Sequence, residues 1–328
     1  MSGRASHLAR RYAGKGESRS GAVDANAGLA LGLVISTHGR HCLVEAEGGR
    51  RLICHPRGKK SEVVVGDRVR WQPTPGSGDE GVIEAVEPRR NLMWRQDEWR
   101  SKSFAANLDL LLMWVAVEPV FSEAQLARAL IAAHAAGIEA AVVLNKIDLP
   151  AADTARARLA PYRAMGYEVI ECSLKHRREE ALGLIRQRLD HRATLVLGPS
   201  GAGKSTLINA CVPQAQAEVG EISQALNSGR HTTTATRWYW LDDGGSPDSA
   251  LIDSPGFQEF GLHHVAATDL ASHMPDLSPY LGQCRFHNCT HRQEPGCAVL
   301  AAAGAGNISP TRLSLYQDFF EELSRTRW

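Results

Sequence analysis

The run Gly198, Pro199, Ser200, Gly201, Ala202, Gly203, Lys204, Ser205 and Thr206 fits the spacing Gly-x4-Gly-Lys-Ser, and no other stretch constrains the fold of this chain so tightly. Such a loop works only between a strand and a helix, and both flanks are present. Thr194 to Leu197 reads as a short buried strand running into it, and Lys204 to Ala210 as the first turns of a helix leaving it. The glycines let the backbone turn sharply and aim N–H groups at phosphate oxygens, while the helix N-terminus adds the positive end of its dipole. Lys204 is placed to reach the β/γ-phosphates and the Ser205 hydroxyl to ligate Mg²⁺. The run predicts an α/β domain that binds a nucleoside triphosphate.

From Leu108 onwards apolar strands alternate with helices, as in a parallel sheet covered on both faces. Leu108 to Val117 is nearly continuously apolar, the pattern of a central strand. Ser122-Glu-Ala-Gln125 reads as a capping box, Leu126, Leu130 and Ile131 as a helical stripe, and Gly137 as its stop. The strand Ile138 to Leu144 then delivers Asn145-Lys-Ile-Asp148 at its carboxyl end, where open α/β sheets bind ligands. A carboxylate in the fourth position of Asn-Lys-x-Asp can accept from both N1–H and N2–H₂ of guanine, a pairing adenine cannot offer. Asp148 is therefore the expected base selector, with Lys146 along the base plane and Asn145 bracing the loop. Another strand, Tyr167 to Cys172, leads to Ser173-Leu-Lys175, a variant of the Ser-Ala-Lys loop that backs guanine in GTPases. Ser173 and Lys175 complete the expected base site.

After the phosphate loop come Gly229-Arg-His-Thr-Thr-Thr234, a strand over Trp238 to Leu241, and Leu251-Ile-Asp-Ser-Pro-Gly256. Asp253 is expected to hold Mg²⁺ through water and the Gly256 N–H to face the γ-phosphate. One of Thr232 to Thr234 closes on Mg²⁺, with Thr234 taken as the candidate. Many GTPases place glutamine after Asp-x-x-Gly to orient the attacking water, but here that position is Phe257, which has no polar group. His231 in the threonine loop is the nearest catalytic candidate. Base-recognition elements thus precede the phosphate loop, the reverse of the ordinary order. The domain reads as circularly permuted, which is tolerated when the original termini lie close together on the surface.

Cys284-x4-Cys289-x-His291-x5-Cys297 follows, three thiols and an imidazole in a tight cluster. This is the ligand set of a closed, structural Zn²⁺ site, with His287 as a competing ligand. The other cysteines, Cys42, Cys54, Cys172 and Cys211, are scattered. Ser309-Pro310 reads as a helix start, and Leu313, Tyr316, Phe320 and Leu323 stripe the helix that packs on the zinc module.

At the other end, residues 1 to about 25 carry Arg4, Arg10, Arg11, Lys15 and Arg19 against the two acids Glu17 and Asp24, and read as a disordered arm. Five short strands follow, Leu31 to Ile35, Cys42 to Ala46, Arg51 to Cys54, Arg68 to Trp71 and Gly81 to Val86, enough for a small barrel. The oligonucleotide-binding type is the expectation, with an SH3-like barrel as the alternative. Arg50, Arg51, Arg57, Lys59, Lys60, Arg89 and Arg90 favour an RNA contact, which must be local because the net charge is only +1. Apolar stretches are too short to span a bilayer and no signal peptide is legible, so a cytoplasmic protein without membrane contact is expected.

The permuted order, Gly-Arg-His-Thr-Thr-Thr, Asp-Ser-Pro-Gly-Phe and the Cys-x4-Cys-x-His-x5-Cys knot together resemble the small ribosomal subunit biogenesis GTPase family (RsgA, also called YjeQ) over nearly the whole chain. That resemblance implies an oligonucleotide-binding (OB) barrel over 26–95, a permuted GTPase domain over 104–262 and a zinc-binding domain with a C-terminal helix over 263–328. It also implies a partner, the small ribosomal subunit and its rRNA, with late maturation of that subunit as the function, and it points to His231 as the residue that positions water. The expected activity is hydrolysis of GTP to GDP and phosphate by a monomer, stimulated by the small subunit and coupled to release from it. The alternative is a nucleotide-regulated rRNA-binding switch in which hydrolysis is incidental.

Overall fold

The computed structural model describes residues 28–58, 62–76, 80–96, 101–213, 215, 236–241, 248–254 and 261–325. The basic arm, Lys59 and Lys60, and the threonine loop with His231 lie outside them, as do Gly256 and Phe257.

The N-terminal strands are β1 (Ala30–His38), β2 (His41–Ala46), β3 (Arg51–Pro56), β4 (Arg68–Pro73) and β5 (Glu80–Val86). All five expected strands are present, each a little longer than its apolar pattern. They pair in the circuit β1-β2-β3-β5-β4 and back to β1, antiparallel except for β3 with β5. That closed circuit decides for the oligonucleotide-binding barrel over the SH3-like alternative. Its inward residues, among them Val34, Val44, Leu52, Val69, Trp71 and Ile83, form a core of their own.

A hairpin, β6 (Leu92–Gln96) with β7 (Ser101–Ala106), links the barrel to the next domain. The sequence reading had no strand here, because polar and charged residues mask the alternation that buries Met93 and Phe104.

Beyond it the chain runs β8 (Leu110–Ala116), α1 (Glu123–Ala135), β9 (Glu139–Asn145), α2 (Ala152–Ala164), β10 (Glu168–Glu171), α3 (Arg178–Leu189), β11 (Ala193–Leu197), α4 (Lys204–Cys211), β12 (Arg237–Trp240) and β13 (Ala250–Asp253). The sheet order is β10-β9-β8-β11-β13-β12, parallel except for β12. In β8 every residue is buried, because both faces are covered. Leu111, Met113 and Val115 enter one core, Leu110, Leu112 and Trp114 the other. The Ser122 hydroxyl caps α1 by accepting from the Gln125 N–H at 3.3 Å, and Gly137 follows the helix with φ +67°. The permuted order therefore folds as an open parallel sheet. Strand β12 also pairs antiparallel with β1 at Ser36 and Arg237, so barrel and nucleotide domain share one continuous sheet.

The C-terminal region has two 3₁₀ turns (Ala267–His273 and Ser278–Tyr280), α5 (Ala298–Gly304) and α6 (Pro310–Ser324). Ser309 caps α6, as its Ser-Pro start predicts. The stripe is rotated from the expected one: Arg312, Tyr316 and Phe319 are buried, while Leu313, Phe320 and Leu323 pack half-buried beside them. The reason is that α6 contacts two bodies. Tyr316 donates to the Thr290 carbonyl of the cysteine cluster at 2.8 Å. On its other side Arg128 of α1 pairs with Glu322 and lies 4.3 Å from the Phe319 ring centre. Arg312 is buried because it forms a two-pronged pair with Asp276, at 2.8 and 2.9 Å, beside the Tyr162 ring of α2. No helix among the described residues is long and apolar enough to cross a membrane.

Removing one partner of a buried ion pair leaves the other charge uncompensated and costs about 3–5 kcal/mol. Arg312→Ala should therefore lower the chemical-denaturation midpoint sharply, read by circular dichroism, whereas Arg325→Ala, an exposed pair with Glu321, should leave it nearly unchanged.

Candidate nucleotide site and metal centre

The phosphate loop spans the gap between β11 and α4, at the carboxyl ends of the parallel strands. Two of its glycines are required by contact. A Cβ on Gly198 would lie 1.9 Å from the Trp114 carbonyl oxygen, and one on Gly203, at φ +104°, would meet the Asn145 amide at 2.6 Å. Lys204 folds back and donates to the carbonyls of Gly198, at 2.5 Å, and Pro199, at 3.0 Å. Burial pulls its pKa down, and Asp253 opposes that shift. Ser200, Gly201, Ser205 and Thr206 are exposed, open to a ligand arriving over the helix N-terminus.

The base-recognition loops are bonded directly to the phosphate loop. Asn145 Nδ2 donates to the Ala202 carbonyl at 2.9 Å, while its Oδ1 accepts from the Leu174 N–H at 3.2 Å. One amide thus ties the loops after β9, β10 and β11 together. Lys146, at φ +62°, donates to the carbonyls of Gly201 at 2.8 Å and Glu118 at 2.6 Å. Asp148 accepts from the Ser173 hydroxyl at 2.5 Å, a bond that is the main cause of its lowered pKa; His176 lies 3.5 Å from its other oxygen. The carboxylate stays ionised and partly exposed, as an acceptor for guanine N–H groups must. Lys175 is exposed beside it and contributes to the same shift.

Asp253 ends β13 in register with Val196 of β11, beside the strand that feeds the phosphate loop. Burial raises its pKa, and Lys204 and Arg237 hold it down. The structure thus gathers Asn145, Lys146, Asp148, Ser173, Lys175, Gly198 to Thr206 and Asp253 at one end of one sheet. Gly256, Thr234 and His231 are outside the described residues.

Sequence reasoning missed Trp114. Its indole N–H donates to the Ala202 carbonyl at 3.0 Å, so the phosphate loop is held from beneath as well as from Asn145. Within an apolar strand nothing marks a tryptophan whose polar tip has such a task.

In the C-terminal region the ligand atoms of Cys284, Cys289, His291 and Cys297 all lie within 4.8 Å of one another. His291 Nδ1 is 3.5 Å from Cys284 Sγ and 3.4 Å from Cys297 Sγ, and those sulfurs are 3.9 Å apart. Tetrahedral bonds of the usual zinc lengths require about 3.6 Å between sulfur and nitrogen and about 3.8 Å between sulfurs. The dimensions fit. His287 is exposed and outside the group, so it does not compete. Backbone N–H groups of Ala298 and Leu300 point at the Cys284 and Cys297 sulfurs. Burial alone would raise the Glu294 pKa, but bonds from Thr290 and neighbouring N–H groups pull it well below the carboxylate range, clamping the loop that carries Cys289 and His291. In contrast, burial pushes the Cys42 and Cys172 thiols up to about 12, as for inert core cysteines.

Fold and site together define a circularly permuted P-loop GTPase with an N-terminal oligonucleotide-binding barrel and a C-terminal helical domain built around a Cys₃His cluster. The sequence profile of the family described as RsgA GTPase matches residues 86–263. "Small ribosomal subunit biogenesis GTPase RsgA" of Variovorax paradoxus is 58% identical, covering 90% of this chain and 93% of the relative. The protein of the same name from Burkholderia pseudomallei is 55% identical with the same coverage. Among solved structures, YjeQ from Thermotoga maritima aligns with a TM-score of 0.67 at 28% identity, over 91% of this chain and 99% of its own. YloQ, described as a circularly permuted GTPase, aligns at 0.65 and 25% identity, over 95% of this chain and 100% of its own. The chain belongs to the RsgA GTPase family.

Asp148→Asn replaces a two-acceptor carboxylate with a mixed donor and acceptor. It should weaken GTP binding by on the order of 3 kcal/mol, since two charge-assisted bonds are lost. Fluorescence titration with a labelled guanine nucleotide checks this, and unchanged affinity would remove Asp148 from the base site.

Proposed function

We propose that the protein hydrolyses GTP to GDP and phosphate when docked on the small ribosomal subunit, assists late maturation of that subunit, and leaves it as a result of hydrolysis. The observation that carries this reading is the 58% identity over 90% of the chain to a protein named for small-subunit biogenesis. The cluster of phosphate and base loops on one sheet end supports it.

In this reading Asp148 selects guanine, and Asn145, Lys146, Ser173 and Lys175 hold the base site. Gly198, Pro199, Ser200, Gly201, Ala202, Gly203, Lys204 and Thr206 cradle the phosphates. Ser205, Thr234 and Asp253 serve Mg²⁺, and the Gly256 N–H meets the γ-phosphate. His231 orients the attacking water, since Phe257 has no group to do so. The arm (1–25) and barrel (26–95) contact rRNA, the domain at 104–262 carries the chemistry, and the zinc domain (263–328) helps to seat the monomer on its partner in the cytoplasm. Cys284, Cys289, His291 and Cys297 hold one structural Zn²⁺, which closes the small C-terminal module and leaves no position for substrate.

Two outcomes are expected. Metal analysis of purified protein should find about one Zn²⁺ per chain; Cys289→Ser should lose it and destabilise the C-terminal region while GTP binding largely survives. A folded, metal-free preparation would refute the zinc assignment. Small subunits should raise single-turnover GTP hydrolysis by at least about tenfold, a barrier change of about 1.4 kcal/mol. His231→Ala should remove most of that gain at unchanged GTP affinity. Equal rates with small subunits, large subunits and free RNA, or an unaffected His231→Ala, would overturn the mechanism.

A further inference from the structure

One row of residues crosses the sheet from the barrel to the nucleotide domain. Ser36 of β1 stands opposite Arg237 of β12, Arg237 stands opposite Asp253 of β13, and Val196 of β11 and Leu112 of β8 continue the line. Residues directly opposite each other on neighbouring strands share a face of the sheet. Val196 and Leu112 enter the core that also holds Leu207 and Ile208 of α4, so Arg237 and Asp253 stand on the face that carries the phosphate-loop helix. Trp238, the next residue along β12, enters the opposite core.

Arg237 is an anomaly on this face. The residue is 9% exposed, and its Nε and Nη1 atoms are closed off from solvent with no hydrogen-bond partner. A buried guanidinium is normally paired or fully hydrogen-bonded, because taking its charge out of water is costly. Arg312 shows the usual solution, with two bonds to Asp276. The charge of Arg237 is instead felt at a distance. Burial raises the Asp253 pKa, and Lys204 and Arg237 oppose that rise. On the barrel side burial lowers the pKa of His38, which bonds Ser36 at 2.8 Å, and Arg237 adds to the shift.

Burial also decides how this cation acts. Arg237 is fixed in a paired strand with two of its three side-chain nitrogens enclosed, so its influence comes through its field at Asp253 rather than through contact with a phosphate. The Ser205 hydroxyl and the Asp253 carboxylate are hard oxygen donors of the kind Mg²⁺ takes. When bound, Mg²⁺ neutralises phosphate oxygens and so helps to retain the nucleotide. Asp253 serves that ion in the function proposed above, on which this inference rests. The carboxylate offered to Mg²⁺ is then one whose charge two cations already offset. Phosphates engage Lys204 once a nucleotide is in place, which leaves the Arg237 charge acting on Asp253. We propose that Arg237 is a positioning residue that acts through Asp253 to weaken the hold of the site on Mg²⁺, and with it on GDP, easing product release. A buried cation without a partner destabilises the fold, and a looser metal site is what the chain gains from keeping it.

Release of a fluorescent GDP analogue from the full chain, followed by stopped flow over a range of free Mg²⁺ concentrations, tests this. Mg²⁺ should slow release from the parent. Arg237→Met, which keeps an unbranched side chain but removes the charge, should reach half-maximal slowing at a Mg²⁺ concentration at least about threefold lower, because a fixed cation repels a divalent one strongly at an effective dielectric of about 20. Arg237→Lys, which keeps a cation, should stay near the parent. A merely structural role predicts the reverse, since both substitutions would then loosen the site and raise the Mg²⁺ requirement. An unchanged or raised requirement in Arg237→Met overturns the proposal. Should that variant misfold, Arg237→Gln takes its place and the same outcomes decide. Asp253→Asn should raise the Mg²⁺ requirement; if it does not, the assignment of Asp253 to Mg²⁺ fails, and this inference with it.

Discussion

The Ala202 carbonyl accepts from both Trp114 and Asn145, and on that junction the nucleotide site depends. A phosphate loop must present its N–H groups to the ligand, so its carbonyls point inward and need donors there. Trp114 comes from β8 and Asn145 from the end of β9, both earlier in the chain than the loop they hold. Circular permutation is harmless for this reason. The contacts that fix the site run between adjacent strands of one parallel sheet, and their geometry does not depend on which strand comes first.

The same sheet continues outward into the barrel. Strand β12, which follows the threonine loop in sequence, pairs with β13 on one side and with barrel strand β1 on the other. The barrel thus meets the nucleotide domain at the strand bordering Asp253. Across this joint Trp240 donates to Glu45 of β2 at 2.7 Å, a further tie between the two bodies.

The C-terminal region is tied in differently. Its cluster residues lie close to α6, and α6 shares a core with α1 and α2 through Tyr316, Phe319 and the buried Arg312–Asp276 pair. The cysteine loop is thus packed against the GTPase domain through α6.

Much of this was legible in the residues themselves. Gly-x4-Gly-Lys-Ser, Asn-Lys-x-Asp and the cysteine spacing are local demands of chemistry: a loop must bend around phosphate, a carboxylate must face guanine, and thiols must surround one point. Local demands leave local patterns. The apolar run in β8 and the cap at Ser122 were readable for the same reason. What tertiary structure alone decided are contacts between residues far apart in sequence. Trp114 beneath Ala202, Arg312 buried by Asp276, the closed barrel circuit and Arg237 opposite Asp253 depend on how elements meet. The hairpin β6–β7 was hidden because its charged residues broke the alternation, although its Met93 and Phe104 side chains are buried once the neighbouring strands are in place.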